Sequence, residues 1–485
     1  MLNFKIISKV LGTLLMLLVL LLLVCLATGL FYGEREWMAF AIPAAVSFVL
    51  ALMLKYFGRH AENKMSRRDG YFIVSASWLV FSIIGTLPFL LGTDITRLSC
   101  AFFESMSGFT TTGASVYTDI DHLPHSILFW RSLSHWFGGM GIVFFTIAVL
   151  PQMGVGDLKL FSAEATGLKT GKVHPRISTT ARWIWGLYVV MTIACSVALI
   201  LAGMSPFDAI NHSMATISTG GFSTHQDSVA YFQSPLIEYI EIIFMAASGI
   251  NFTLLYLLVI KRRFREVWRD AEIRFYAGVL LFFTIYCAVC LYVVDGFGIE
   301  HSLRAAAFQV TSLGTTTGFT TKDFQEWHAC TWVPLLFVSL MGACAGSTSG
   351  GMKCVRILTS WKMMANEFRQ MLHRRAVIPV RLGYQTLGSS ITQTIFAYFV
   401  AMFLLLSVAM VAMMCMGIPM LDSISLGVAS FSNAGPSIGW YVGPLDSWDK
   451  LPDGVLWICS FLMLAGRLEI FSLLLPFVPA FWKER

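Results

Sequence analysis

Four times in this chain a short apolar segment ends in a polar, glycine-bearing turn, and each time the pair sits between two apolar runs long enough to cross a bilayer. The turns are Thr110-Thr111-Thr112-Gly113, Ser218-Thr219-Gly220-Gly221, Thr315-Thr316-Thr317-Gly318 and Ser432-Asn433-Ala434-Gly435. Their last glycines lie 108, 97 and 117 residues apart. The segments before them, 100–109, 208–217, 302–313 and 422–431, are too short to span a bilayer but suit re-entrant half-helices. Asp208 and Asp422 stand ten residues before Ser218 and Ser432, where an N-cap is expected. Repetition at such a period comes before any single motif. The chain reads as four copies of span, half-helix, loop and span.

The apolar runs that frame these copies fall near 10–32, 38–56, 71–91, 127–150, 183–202, 236–260, 275–294, 332–358, 391–416 and 455–476. The first holds no charge and as a helix reaches about 34 Å, enough for a hydrocarbon core of roughly 30 Å. It is too long for the apolar stretch of a cleaved leader. A chain that is 56% hydrophobic and only 13% charged, with a mean hydropathy of +0.70, is not a soluble globular protein. The expected fold is an all-α polytopic membrane protein: four pore repeats about one pseudo-fourfold axis, plus two N-terminal spans. Its parts are 1–69 (the extra helix pair), 70–152, 153–262, 263–375 (with a broken second span) and 376–485.

Charge sets the orientation. Of the 34 Lys and Arg, 27 fall in segments on one side: near both ends of the chain, at 55–68, and within 159–182, 261–274 and 353–381. The other side holds only Arg35, Arg97, Arg304, Lys322 and Lys450. The positive side faces the cytoplasm, with both termini on it. The net charge of +6 is therefore an orientation signal and gives no nucleic-acid footprint.

A non-helical segment at membrane depth is tolerated only where protein buries it or a wet cavity meets it. Four such loops about one axis present backbone carbonyls to a shared space, and carbonyl rings replace the hydration shell of a cation. Glycine reaches positive φ without steric cost and lets successive carbonyls face one way. Each half-helix also points its negative C-terminal end at the axis. The turns carry no Asp or Glu, so neutral dipoles do the selecting, which suits K⁺ or Na⁺ better than Ca²⁺.

Two features lie below these loops. The stretch 342–351 places Gly342, Gly346, Gly350 and Gly351 inside an apolar run, enough to break a helix. It does not fit a phosphate loop, because Gly351-Met352-Lys353 departs from that pattern. Its functional reading is a flexible gate; close helix packing through small residues is the alternative. Arg467 lies in the middle of the last run, where a charge costs about 2.5–3.5 kcal/mol. It needs a partner, and the carbonyls of the broken third-repeat helix are suited to it; its fixed charge also opposes resting cation flow. Arg131 reads as a snorkelling side chain, His135 as a packed one, and the Cys287/Cys290 pair as core packing.

The stretches "FFESMSGFTTTGASV", "ISTGGFSTH", "GTTTGFTT", "SNAGPSIG", "CAGSTSGGMK" and "AGRLEIF" together resemble the Trk/Ktr/HKT superfamily of cation transporters, and most closely the membrane subunit of bacterial Trk-type potassium uptake systems. The resemblance covers nearly the whole chain. It implies K⁺ as the transported ion, held by the sixteen residues of the four turns, a gate at 342–351, a homodimer in the bacterial inner membrane, and a cytosolic nucleotide-binding regulatory subunit. Sodium-coupled K⁺ symport is the nearest rival to channel-like conduction. A secondary transporter of another small solute is expected to show inverted repeats. An intramembrane enzyme needs a nucleophile–base pair or a metal-ligand set, and the sequence shows neither.

Overall fold

The computed structural model describes residues 2–61, 66–149, 177–373, 378–383 and 385–482. Helices α1 (Phe4–Phe31) and α2 (Met38–Phe57) form an antiparallel pair. There follow α3 (Arg67–Gly92), the short α4 (Leu98–Phe109) and α5 (His125–Val149), then α6 (Ile177–Leu201), the short α7 (Pro206–Ile217), α8 (Pro235–Ser248) and α9 (Phe252–Val259). After the small α10 (Phe264–Trp268) come α11 (Ala271–Val293), the short α12 (Ile299–Gly314), α13 (Trp332–Met341) and α14 (Cys354–Leu372). A two-residue hairpin, β1 (Arg381–Leu382) and β2 (Gln385–Thr386), leads into α15 (Ser389–Cys415). The last helices are the short α16 (Met420–Ser432), α17 (Asp453–Arg467), α18 (Phe471–Leu474) and α19 (Pro479–Trp482).

Each of the ten apolar runs falls on one helix or on two helices parted by a break. Six described helices are long and apolar enough to cross a membrane, and two bent pairs qualify if each is one span. The runs at 236–260 and 455–476 are these bent pairs: α8 and α9 meet at 110°, and α17 and the segment after it at 113°. The causes are local. Asn251 caps α9 by accepting the Thr253 N–H at 2.8 Å, and Glu469 and Ile470 both take positive φ just after α17 ends. Arg467 is thus the last residue of a helix and not the middle of one.

Caps decide several starts. Ser66 and Asp69 form a capping box at α3, and Asp69 also accepts the Asn3 N–H at 2.8 Å, tying the N-terminal pair to α3. The expected aspartate N-caps are displaced by one turn. Asp208 lies inside the first turn of α7, where Ser205 is the cap. Asp422 likewise lies inside the first turn of α16, buried and accepting the Tyr441 N–H at 2.7 Å.

The four short helices occupy the centre. The polar residues that close them are fully buried, while α6, α11 and α15 expose large apolar side chains such as Ile193, Phe282 and Phe403. That inside-out distribution fits helices whose outer faces meet lipid. Lys64, Lys159, Lys169, Lys172, Arg176, Arg374, Arg375, Lys483 and Arg485, with the domain boundaries at 152/153 and 375/376, lie outside the described residues.

Candidate functional site

The four short helices end in one way. In each, the first turn residue (Thr110, Ser218, Thr315) closes the helix, or, for Ser432, is its last residue. The second, Thr111, Thr219, Thr316 or Asn433, adopts the left-handed conformation with φ of 53°, 54°, 58° and 56°. The N–H of the third reaches back five residues: Thr112 to the Ser107 carbonyl (2.9 Å), Gly220 to Ala215 (2.7 Å), Thr317 to Ser312 (2.8 Å) and Ala434 to Ala429 (3.1 Å). This is the Schellman closure, in which glycine is the usual left-handed residue. Asparagine tolerates that conformation. Threonine, β-branched, does not, and holding it there costs about 1–3 kcal/mol at each site. Three such threonines persist because the surrounding packing overdetermines them.

The fourth residue returns to positive φ in every turn: 81° at Gly113, 85° at Gly221, 84° at Gly318 and 85° at Gly435. Here glycine is required twice over. A β-carbon on Gly113 would strike the carbonyl oxygen of Gly220, on Gly221 that of Thr317, on Gly318 that of Ala434, and on Gly435 that of Thr112. The contacts run from first loop to second, second to third, third to fourth and fourth to first. They close a ring, and they place four equivalent carbonyl oxygens at one level of it. The sixteen turn residues named from the sequence all belong to this ring. Four helix C-termini converge on it, so partial negative charge gathers there without any carboxylate in the turns.

Above the ring the loops are held by buried polar bonds. Glu104 of α4 and Arg131 of α5, both fully buried, pair at 2.8 Å. Glu104 also accepts the Val116 N–H (2.9 Å), and Arg131 donates to the Ser223 carbonyl (2.9 Å), joining the first two loops. Arg131 therefore does not snorkel: it has a carboxylate partner deep in the protein and lies 4.2 Å over the Phe222 ring. The α7 counterpart of Glu104 is His212, which bonds the Ser223 hydroxyl at 3.1 Å. His135 is packed as expected, stacked on Phe222 at 4.0 Å.

A cavity of about 60 Å³ opens over the ring, lined by Gly113, Gly221, Gly318, Gly435, Arg131 and His225 among others. At its rim His225 meets Asp121 at 2.6 Å and Asp208 at 3.6 Å. Burial disfavours the charged imidazole, but its bonds to Asp208 and Asp121 outweigh this, and its pKa rises above the usual 6.5. Burial also opposes ionisation of Asp208, yet bonds from His225, Ser205 and Thr224 hold its carboxyl well below the usual range.

On the opposite side of the ring α13 stops at Gly342, and the chain resumes helix only at Cys354. Residues 342–353 form an inner loop in which Gly342, Gly346 and Gly351 have positive φ. Gly350 does not, but a β-carbon on it would strike the Ser432 carbonyl. The Gly350 N–H donates to the Thr316 hydroxyl at 2.7 Å, and the Thr348 hydroxyl to the Ile217 carbonyl at 3.0 Å. The loop thus touches three of the four turns or helix ends. Arg467 donates to the Thr348 carbonyl and the Gly138 carbonyl, each at 2.7 Å. The expected carbonyl partner is there, joined by a second one on α5. Glu469 turns away to pair with Arg356.

The expected flexibility is not what the loop's bonding displays. Glu272 accepts the Ala345 N–H at 2.6 Å, Asn251 donates to the Ala345 carbonyl at 2.7 Å, and the Lys353 ammonium folds back onto the Ser349 carbonyl. Glu104, Glu272 and Asn251 were not singled out from the sequence. For Glu104 a signal exists: it is the one charged residue in the 100–109 segment. Glu272 and Asn251 lie far from 342–351 in the chain and only folding brings them together.

The chain is similar to known proteins over nearly its whole length. Residues 37–484 match the family model TrkH, described as a cation transport protein. The chain is 38% identical to the Trk system potassium uptake protein TrkH of Escherichia coli K12, over 99% of this chain and all of that one. It is 36% identical to TrkH of Halomonas elongata, over 99% of this chain and all of that one. The crystal structure of the potassium transporter TrkH from Vibrio parahaemolyticus superposes with a TM-score of 0.90 at 35% identity, covering 99% of this chain and all of that one. The chain belongs to the TrkH family of cation transport proteins, a family of transporters and not of enzymes.

Proposed function

We propose that the chain takes up potassium through a gated, channel-like pore in the bacterial cytoplasmic membrane. The observation that carries this reading is the ring: four turns of three different sequences share one backbone conformation, and each glycine nests against its neighbour's carbonyl. Evolution of one such turn needs no pore. Four closed on each other make a cage of carbonyl oxygens, each glycine lying against a neighbour's carbonyl. The names of the relatives supply the ion, since each is a potassium uptake protein.

In this reading, the repeats 70–152, 153–262, 263–375 and 376–485 surround one axis, with 1–69 packed outside the first. A dehydrated K⁺ exchanges water for the carbonyls of the sixteen turn residues. The helix C-termini favour the cation electrostatically. The inner loop is the gate: it lies against two of the turns and the end of a third short helix on the side away from the cavity, and Arg467 holds it closed while setting a positive charge in the ion's path. Both termini face the cytoplasm, supported by the bias of Lys and Arg toward that side. The active unit is a homodimer regulated by a separate cytosolic nucleotide-binding subunit, as the family resemblance and the relatives' description as part of a system support.

The test is flux. Purified protein in liposomes should pass Rb⁺ or K⁺ down a gradient without ATP, and faster than Na⁺. Transport that strictly requires nucleotide hydrolysis by this chain alone would refute a passive pore.

A further inference from the structure

The third repeat carries a thiol pair that the pore does not use. Cys287 and Cys290 are neighbours on α11, but Cys287 is fully buried, while Cys290 is partly exposed and turned toward another cysteine. That partner is Cys330, also partly exposed, in the single turn of 3₁₀ helix (Ala329–Thr331) that leads into α13. Two bonds bracket the pair. One helical turn before Cys290, the Tyr286 hydroxyl donates to the Cys330 carbonyl at 3.4 Å. Just past the end of α11, Asp295 accepts the His328 N–H at 3.4 Å. Cys290 lies between these two contacts, one helical turn from Tyr286 on the same face of α11, and so faces 328–330.

We propose that Cys290 and Cys330 form a disulfide in the mature protein. This rests on the orientation given above, which sets the C-terminal end of α11 and the start of α13 on the outer face of the membrane. Thiols there meet an oxidising compartment. The bond forms by exchange with a disulfide-bearing oxidoreductase. One cysteine thiolate attacks the oxidant's disulfide to give a mixed disulfide, and the second displaces the oxidant's remaining sulfur. Two S–H bonds break, one S–S bond forms, and the two electrons and two protons leave on the oxidant as its dithiol. The link closes a loop containing all of α12 and the third turn of the ring. It staples the outer end of α11 to the start of α13, whose inner end leads into the 342–353 loop.

The experiment uses full-length protein from cells with an oxidising envelope, denatured without reductant and alkylated with N-ethylmaleimide. Peptide mass mapping should recover Cys290 joined to Cys330, with the other eight of the ten cysteines alkylated. Reduction should lower the thermal midpoint of the wild type by a few degrees and leave a Cys290→Ser/Cys330→Ser variant unmoved. Cys415, exposed at the last residue of α15, reports the orientation separately through labelling of intact cells with a membrane-impermeant maleimide. Labelled Cys415 together with alkylated Cys290 and Cys330 refutes the disulfide while the orientation stands. Unlabelled Cys415 refutes the orientation, and the native disulfide with it.

Discussion

The ring and the inner loop are both glycine-bearing breaks in an apolar helix bundle, yet they are held by opposite means. Each ring turn is closed by its own helix: the five-residue backbone bond and the left-handed second residue recur in all four. Tertiary contact then locks the glycines carbonyl to Cα. The inner loop has little closure of this kind. Backbone bonds tie it to the break between α8 and α9, where Cys344 N–H donates to the Gly249 carbonyl and Phe252 N–H to the Gly346 carbonyl, and Arg467, Glu272, Asn251 and Thr316 each add one side-chain bond from a distant element. A ring built from backbone has one arrangement. A loop whose hydrogen bonds to the ring and to Arg467 run through separable side chains has a second state within reach, and that difference fits a rigid selecting element beside a movable one.

The largest expected effect falls on the ring's support. Arg131→Ala leaves Glu104 buried without its partner, a loss of about 3–5 kcal/mol. Little assembled protein should remain, by size-exclusion chromatography and thermal unfolding, and an unchanged midpoint would show that this pair does not brace the ring. Next is Arg467→Ala. Bonds from a charged donor are worth about 1.5–3 kcal/mol each, so losing one shifts a closed–open equilibrium about tenfold or more. Basal Rb⁺ flux, normalised to assembled protein, should rise by that order. Wild-type flux in this variant removes the latch from the gate.

Smaller still is a contrast between two threonines of identical backbone. The Thr316 hydroxyl accepts the Gly350 N–H, whereas the Thr111 hydroxyl is buried with no hydrogen-bond partner among the described residues. Valine keeps the shape and β-branching at both. Thr316→Val should raise basal flux several-fold and Thr111→Val should leave it unchanged; equal responses would erase the distinction between ring and latch. The smallest effect is at the rim. His225 has a raised pKa, so its ion pairs with Asp121 and Asp208 contribute fully below pH 6.5 and are lost as pH rises through that raised value. The midpoint of wild type should fall relative to His225→Gln as pH increases above 6.5, and parallel curves would mean the pairs contribute nothing.

What the sequence made legible follows the range of the interactions. The four short helices and their turns are local patterns, so their positions came within two or three residues of the observed bounds. The glycines of the ring were legible because positive φ narrows the choice of residue. The left-handed threonines were not, since nothing in threonine's preferences points there; tertiary closure imposes it. Arg467 announced itself by its cost in an apolar run, and the need for a carbonyl partner followed. Arg131 carried the same signal but was read alone, because its partner lies a whole loop away in the chain. The bends after Ser248 and Arg467 were hidden for a related reason: apolar composition continues straight through both, and only the capping by Asn251 and the positive φ at Glu469 and Ile470 turn the chain.

The central claim, that the four turns act as one selecting ring, is tested most directly by the K⁺/Na⁺ permeability ratio of Gly113→Ser, Gly221→Ser, Gly318→Ser and Gly435→Ser in liposomes. Each added β-carbon is forced against a neighbour's carbonyl, so every variant that assembles should lose discrimination, and all four should lose it in the same direction. Four assembled variants with the wild-type ratio would mean that these are ordinary turns and that ions are selected elsewhere.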